Sequence, residues 1–225
     1  MPFVAVEHHG SVTVLTLDRP PVNAIALAIC EQLFTTLEKI VAKPPAGGLV
    51  VIGRGRAFSA GADLKEVPTY DAAQRSRLDE TFSRAIRALL ALPTPVVAAL
   101  NGHAIGGGLV LALAGDHRIA AERPAEFGFP EAAVGIAFPP VPMAIIRGAM
   151  NPVALNRLAL DATARWPLDR ARQEGLIDVV VPADRLLEAA IGEAKRLSAA
   201  PGYALVKQQL RATTLAEVDR LLANR

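Results

Sequence analysis

The sequence predicts an α/β fold whose core is a sheet of mainly parallel strands. Short aliphatic runs alternate along the chain with longer segments of helical periodicity, which is the pattern of consecutive βα units. The 225 residues suffice for one medium-sized domain with a buried core. Because 52% of them are hydrophobic but only 4% are aromatic, we expect that core to consist mainly of Ala, Val, Leu and Ile.

The first half of the chain contains the signals of four strands and two helices. Two β-rich runs flank the turn sequence His9-Gly10-Ser11, which predicts a hairpin. A helix is predicted to begin near Leu27 and to end before Pro44, and a second helix over residues 72–92 is stopped by Pro93. The strands are predicted at residues 4–7, 12–17, 49–52 and 96–100.

The second half continues the alternation and then changes to helix. Residues from about 183 to the end are amphipathic, so we divide the chain into a core of residues 1–182 and a C-terminal helical segment of residues 183–225. Asp116 and Arg118 are expected to form an internal ion pair. The other elements predicted here are a helix at residues 109–113 and strands at residues 118–120 and 176–181.

Charge and cysteine content exclude several classes of protein. The 24 basic residues nearly balance the 22 acidic ones, which argues against a nucleic-acid-binding protein. The one cysteine, Cys30, cannot form an intramolecular disulfide and fits a reducing compartment. The 28 uncharged residues between Arg87 and Asp116 contain prolines and a glycine triplet, so we predict no membrane span. Without a signal peptide at its start, the chain is expected to be cytoplasmic.

Familiar nucleotide and metal motifs do not occur in the sequence. The glycines near residues 53 and 106 lack the third glycine of a dinucleotide-binding fingerprint, and no phosphate-binding P-loop is present. The four histidines do not have metalloprotease spacing, so no metal site is predicted.

Two glycine-containing loops follow successive predicted strands. They comprise residues 56–64 (RAFSAGADL) and residues 101–108 (NGHAIGGG), and the second one opens a helix. Glycines let another backbone or a ligand approach closely, and a helix N-terminus offers free N–H donors. The two loops are therefore candidates for an oxyanion hole, although the same glycines would also serve close packing.

Four runs in this order resemble the crotonase superfamily of enoyl-CoA hydratases and isomerases. They are FSAGADL at 58–64, NGHAIGGGL at 101–109, D-x-R-I-A at 116–120 and F-G-x-P-E at 127–131. Asn23-Ala24 and the run GLID at 175–178 extend the resemblance over nearly the whole chain.

The resemblance implies a crotonase-like spiral of ββα units and an acyl-CoA thioester substrate. It assigns the oxyanion hole to the backbone N–H groups of Ala62 and Gly107, and CoA contacts to Ala24, Ala60 and Leu64. CoA would be part of the substrate, with no separate cofactor. The helical tail would serve assembly into a homotrimer or a dimer of trimers.

The sequence departs from the hydratases of this family at one catalytic position. Those enzymes use two glutamates to activate water; Glu131 matches the second, but Val110 stands at the position of the first. Isomerases of the family work with one glutamate, so we expect Glu131 to shift the double bond of an enoyl-CoA as acid and base. Because the run 132–138 is apolar, the pKa of Glu131 should be raised.

Three other hypotheses stay open on the sequence. One is an enoyl-CoA hydratase that activates water with Glu131 alone, and another is a non-catalytic acyl-CoA binder. The third is a hydrolase with Ser59 as nucleophile, although Ala57 occupies the first glycine position of the G-x-S-x-G motif.

Overall fold

Two sheets and their connecting helices form the computed structural model, which describes residues 2–161 and 165–224. In the larger sheet only the first two strands are antiparallel to each other, and the remaining neighbours are parallel. Its strands in spatial order are β1 (Val4–His9), β2 (Val12–Leu17), β3 (Leu49–Gly53), β5 (Val96–Leu100), β7 (His117–Glu122) and β10 (Val179–Pro182). The smaller sheet consists of β4 (Ala57–Ser59), β6 (His103–Ile105), β8 (Glu126–Gly128) and β9 (Arg165–Pro167).

Helices follow the strand pairs along the chain. The units β1-β2-α1, β3-β4-α2, β5-β6-α3 and β7-β8-α4 repeat the same ββα order, which confirms the fold expected from the resemblance. The helices are α1 (Leu27–Ala42), α2 (Ala72–Ala91), α3 (Gly107–Leu113), α4 (Glu131–Val134), α5 (Pro140–Ala149), α6 (Pro152–Ala159), α7 (Leu168–Gln173), α8 (Leu186–Ser198) and α9 (Tyr203–Ala223), with short 3-10 turns at Val67–Thr69 and Ala183–Arg185.

The larger sheet is buried on both faces, because its aliphatic residues alternate between two cores. On β5, Val96, Ala98 and Leu100 face the main core, whereas Val97 and Ala99 face the opposite way. Helix α8 covers that second face with its own buried stripe. The main core lies on the other face, where the smaller sheet and helices α1–α3 pack.

The strands of the smaller sheet were missed by the sequence analysis. Residues 56–64 and 101–108 were interpreted as loops, yet each contains a three-residue strand. Strands this short show no measurable alternation of polar and apolar residues. Their pairing partners come from distant parts of the chain, so only the tertiary fold defines them.

The prediction for the last strand is corrected, whereas the C-terminal segment is helical as predicted. The strand predicted at 176–181 begins only at Val179, because the amides of Leu176 and Ile177 both donate to Ala171 O at the end of α7. The C-terminal segment is two helices separated at Pro201-Gly202, as expected from the helix-breaking character of both residues.

The predicted ion pair between Asp116 and Arg118 was wrong. Arg118 Nη2 lies 3.0 Å from Asp178 Oδ2, while Asp116 Oδ2 lies 2.6 Å from Nζ of the buried Lys207 on α9. The Asp116 Oδ2 also accepts from the Val96 N–H at 2.9 Å, so β5 and α9 already engage this carboxylate. The Asp116 pair thereby attaches α9 to the start of β7.

Within the described residues, no helix has both the length and the apolar character needed to cross a bilayer.

Candidate active site

The two glycine loops meet because their strands are neighbours in the smaller sheet. Strand β4 pairs in parallel with β6, so both chains leave the sheet at the same edge. Gly61 has a φ of +78°, and a Cβ added to it would lie 2.6 Å from the backbone oxygen of Ile105. Only glycine permits this backbone conformation together with so close an approach. The approach brings the backbone around Ala62 next to that of Gly107.

Hydrogen bonds fix the orientation of the Gly61–Ala62 peptide. The N–H of Ile25 donates to Gly61 O at 2.7 Å, and the N–H of Asp63 donates to Ile25 O at 2.8 Å. The carbonyl and the N–H of a trans peptide point in opposite directions. The Ala62 N–H is therefore directed away from the segment around Ile25. Gly107 is the first residue of α3, so its N–H has no acceptor within the helix.

Ala62 and Gly107 line the same cavity, which has a volume of about 320 Å³. Aliphatic and aromatic side chains form most of its wall. Phe138, on one side, packs edge-to-face against the buried Phe129, with their ring centroids 5.3 Å apart. The cavity is lined by Ile25, Ala62, Val67, Arg75, Leu78, Asp79, Phe82, Gly107, Val110, Glu131, Ile136, Ala137, Phe138, Pro139 and Pro142.

Glu131 lines this cavity from the first position of α4. Its Oε1 lies 3.4 Å from the position that a Cβ on Gly106 would occupy. Its Oε2 is buried and has no hydrogen-bond partner in the described part of the chain. Burial raises the pKa of Glu131, and a hydrogen bond from its own backbone N–H opposes this in part. The direction of the shift agrees with the sequence analysis.

Val110 also lines the cavity, from the first turns of α3, and it is buried. An aliphatic side chain can neither bind water by hydrogen bonds nor transfer a proton. The wall at this position is therefore chemically inert.

The sequence analysis missed the contribution of α2 to the cavity. Arg75, Leu78, Asp79 and Phe82 have the spacing of one helix face, and all four line the cavity. The spacing i, i+3, i+4 and i+7 was visible in the sequence, and it would have placed Leu78 and the half-exposed Asp79 on the same face as Phe82.

The residues predicted to contact CoA lie in the two segments that carry Ile25 and Ala62. The Ala60 N–H donates to Val22 O at 3.0 Å, so the chain before Ile25 runs beside the first glycine loop. Ala24 and Ala60 are half-buried, and Leu64 is 81% exposed. None of the three is among the residues that line the cavity, so their contact with CoA stays a prediction.

Ser59 does not have the environment of a nucleophile. Its side chain is fully buried, and its Oγ donates to Asn23 O at 2.7 Å. A hydroxyl in this position serves packing between the two segments, which argues against the hydrolase hypothesis.

Comparisons with known proteins agree with this architecture. The family model for enoyl-CoA hydratase/isomerase matches residues 7–224. A 2,3-dehydroadipyl-CoA hydratase of Escherichia coli K12 is 34% identical over 94% of this chain and 82% of that protein. Among solved structures, a probable enoyl-CoA hydratase EchA3 from Mycobacterium tuberculosis H37Rv has a TM-score of 0.90 at 26% identity, covering 98% of this chain and 93% of that one.

A second structure of this same Mycobacterium tuberculosis protein is described as an enoyl-CoA isomerase. It has a TM-score of 0.89 at 25% identity and covers 99% of this chain and 96% of that one. The fold and the site define an enzyme of acyl-CoA thioesters. The chain belongs to the enoyl-CoA hydratase/isomerase family of the crotonase superfamily.

Proposed function

We propose that the protein moves the double bond of a 3-enoyl-CoA to the 2-position, with Glu131 as acid and base. The observation that carries this proposal is the Glu131 carboxylate, whose buried Oε2 has no partner among the described residues. It shares an apolar cavity with Ala62 and Gly107, whose backbone N–H groups are the proposed oxyanion donors. A proton carrier in one cavity with two such donors suits the formation of a thioester enolate.

The reaction is a proton transfer from C2 to C4 of the acyl chain. Glu131 as carboxylate removes the C2 proton, and the electron pair moves onto the thioester oxygen to give a conjugated enolate. The N–H groups of Ala62 and Gly107 donate to this oxygen. Protonated Glu131 then returns the proton to C4, the enolate collapses, and the double bond is left between C2 and C3. No atom is gained or lost.

The CoA part of the substrate is proposed to lie along Ala24, Ala60 and Leu64. The exposed Leu64 supports this, since it is a large apolar side chain two residues after the cavity-lining Ala62 and offers contact area to a ligand. CoA enters and leaves with the acyl group, so the proposed reaction needs no other cofactor.

Hydration of a 2-enoyl-CoA is the second candidate function. It is favoured by the half-exposed Asp79, which brings another carboxylate to the cavity, and by the hydratase activity named for the Escherichia coli relative. Against it stands Val110, which gives an attacking water no hydrogen-bond partner at that wall.

Separate assays with 3-enoyl-CoA and 2-enoyl-CoA distinguish the candidates. A missing acid/base group costs about 10²–10⁴ in rate, so we expect isomerisation to exceed hydration by at least about 10². Mass spectrometry separates the two outcomes, because hydration adds one water and isomerisation leaves the mass unchanged. Formation of only the 3-hydroxy product would contradict the isomerase proposal. Tight binding with no product from either substrate would indicate an acyl-CoA binder.

We propose that the protein assembles as a homotrimer or as a dimer of trimers through the C-terminal helices. Leu205, Val206 and Leu210 on α9 are exposed by 68%, 53% and 77%. Apolar side chains grouped on one helix in this way are typical of a contact surface. Light scattering should give three or six times the chain mass of 23.7 kDa, and a monomer mass would contradict the assembly.

A further inference from the structure

Arg19 connects the two segments that flank the proposed oxyanion hole. It follows β2, and its side chain is only 17% exposed. One guanidinium nitrogen, Nη1, donates to Ala24 O at 3.1 Å and to Asp63 Oδ2 at 2.7 Å. The other, Nη2, donates to Glu66 Oε2 at 2.6 Å. The forked guanidinium thus holds one backbone oxygen and two carboxylates at once.

The carboxylates of Asp63 and Glu66 make further hydrogen bonds that link Arg19 to the backbone after Asp63 and, through Tyr70, to the start of α1. Asp63 Oδ1 accepts from the N–H of Lys65 at 2.9 Å and from the N–H of Glu66 at 3.0 Å. Tyr70 donates its hydroxyl proton to Glu66 Oε1 and accepts from the Leu27 N–H at 3.0 Å. Two partly buried carboxylates so close together are stabilised by a cation between them.

The position of Ala62 depends on these contacts. Ala62 lies directly before Asp63 and opposite Ile25, with which it forms an isolated parallel bridge. Arg19 binds a neighbour of each residue. It donates to the backbone oxygen of Ala24, which precedes Ile25, and to the side chain of Asp63, which follows Ala62. It thereby holds the two backbones in the arrangement that directs the Ala62 N–H away from Ile25.

From this geometry we infer that Arg19 is a positioning residue for the oxyanion hole, acting through Asp63 and Ala24 on the orientation of the Ala62 amide. The inference rests on the proposed function, because it assumes that this amide receives the thioester oxygen. Arg19 itself has no place in the cavity lining and takes no part in the proton transfer.

The test compares Arg19→Met and Arg19→Lys with the wild type. Met keeps much of the apolar stem but loses every hydrogen bond, and Lys keeps the charge without the fork. Misplacement of one oxyanion donor should lower kcat by roughly 10- to 100-fold in Arg19→Met, with a smaller change in KM. Arg19→Lys should give an intermediate kcat. Arg185→Met is the matched control, since Arg185 forms an exposed ion pair with Glu188 far along the chain.

Two readouts separate positioning from a general loss of stability. Acetoacetyl-CoA ionises to an enolate with its own near-ultraviolet absorption, and the enolate fraction when bound reports the strength of the oxyanion hole. We expect the ratio of enolate to keto form of the bound acetoacetyl-CoA to fall by roughly 10-fold in Arg19→Met. Hydrogen exchange at residues 60–66 of the free protein should accelerate, while the rest of the chain stays protected.

An unchanged rate of hydrogen exchange at residues 60–66 in a folded Arg19→Met protein would overturn the inference, whether or not kcat falls. An unchanged enolate fraction would do the same. If Arg19→Met fails to fold, the enolate fraction and the hydrogen exchange are both measured on Arg19→Lys. A wild-type protein that neither enolises acetoacetyl-CoA nor acts on enoyl-CoA would instead overturn the proposed function, and with it the catalytic meaning of Arg19.

Discussion

Replacing Glu131 by Gln should lower kcat by about 10²–10⁴, the usual contribution of a general acid and base. Gln has nearly the same shape and can accept a hydrogen bond, but it cannot take up the C2 proton. Substrate binding should change little, because the acyl pocket is mainly apolar. The measurement is steady-state turnover of 3-enoyl-CoA together with the affinity for the substrate. Full activity in Glu131→Gln would remove this residue from the mechanism.

The pH dependence of stability gives a second view of the same substitution. The pKa of Glu131 is raised by burial above its ordinary value of 4.5. The folded state therefore favours the protonated carboxyl. The stabilisation of the fold by this protonated group is fully present below pH 4.5 and is lost as the pH rises through the pKa of the folded state. Glu131→Gln, which stays neutral, should consequently be more stable than the wild type at neutral pH and equal to it in acid. Glu188→Gln is the control, because Glu188 lies on an exposed part of α8.

Replacing Gly61 by Ala should lower kcat by about 10²–10³, the cost of removing an oxyanion donor. The added Cβ would lie 2.6 Å from the backbone oxygen of Ile105, which cannot turn aside as a side chain could. The loops that carry Ala62 and Gly107 must then separate. The measurement is kcat for 3-enoyl-CoA alongside thermal unfolding.

Gly55→Ala provides a matched control for the strain in Gly61→Ala. Gly55 has a φ of +82°, close to the +78° of Gly61, but a Cβ at Gly55 would meet no atom within 4 Å. Both substitutions introduce similar backbone strain, of order 1–3 kcal/mol, so they should reduce stability through a shared cause. Only Gly61→Ala should also lose activity, because only its Cβ separates the two loops. Equal kinetics in the two variants would contradict the proposed oxyanion hole.

The sequence predicted the larger sheet well because its strands are long enough to show their character. The run 96–100 was predicted as a strand with the boundaries that the structure has. The smaller sheet could not be predicted in this way, since three-residue strands such as β4 carry no periodicity. The Asp116 pair with Lys207 was likewise beyond local inference, because 91 residues separate the two partners.

The candidate site was predictable where a motif marked it and not where the tertiary fold assembled it. The loops around Ala62 and Gly107 and the glutamate at 131 came from motif positions, and the structure brings all three to one cavity. Asp79 came from no motif, and Arg19 acts through contacts up to 47 residues away. Such partners are brought together only when the chain has folded.

One of the shortest strand pairings in the described structure bears directly on the proposed oxyanion hole. Strands β4 and β6 pair at Ala57 with His103 and at Ser59 with Ala104, so one strand advances two residues while the other advances one. The extra residue is Phe58, whose side chain is fully buried. A slip by a single residue would move one amide by about 3.3 Å, more than the length of a hydrogen bond. This irregular ladder therefore fixes the spacing between the loops that carry Ala62 and Gly107, and the buried Phe58 side chain holds the bulge in place.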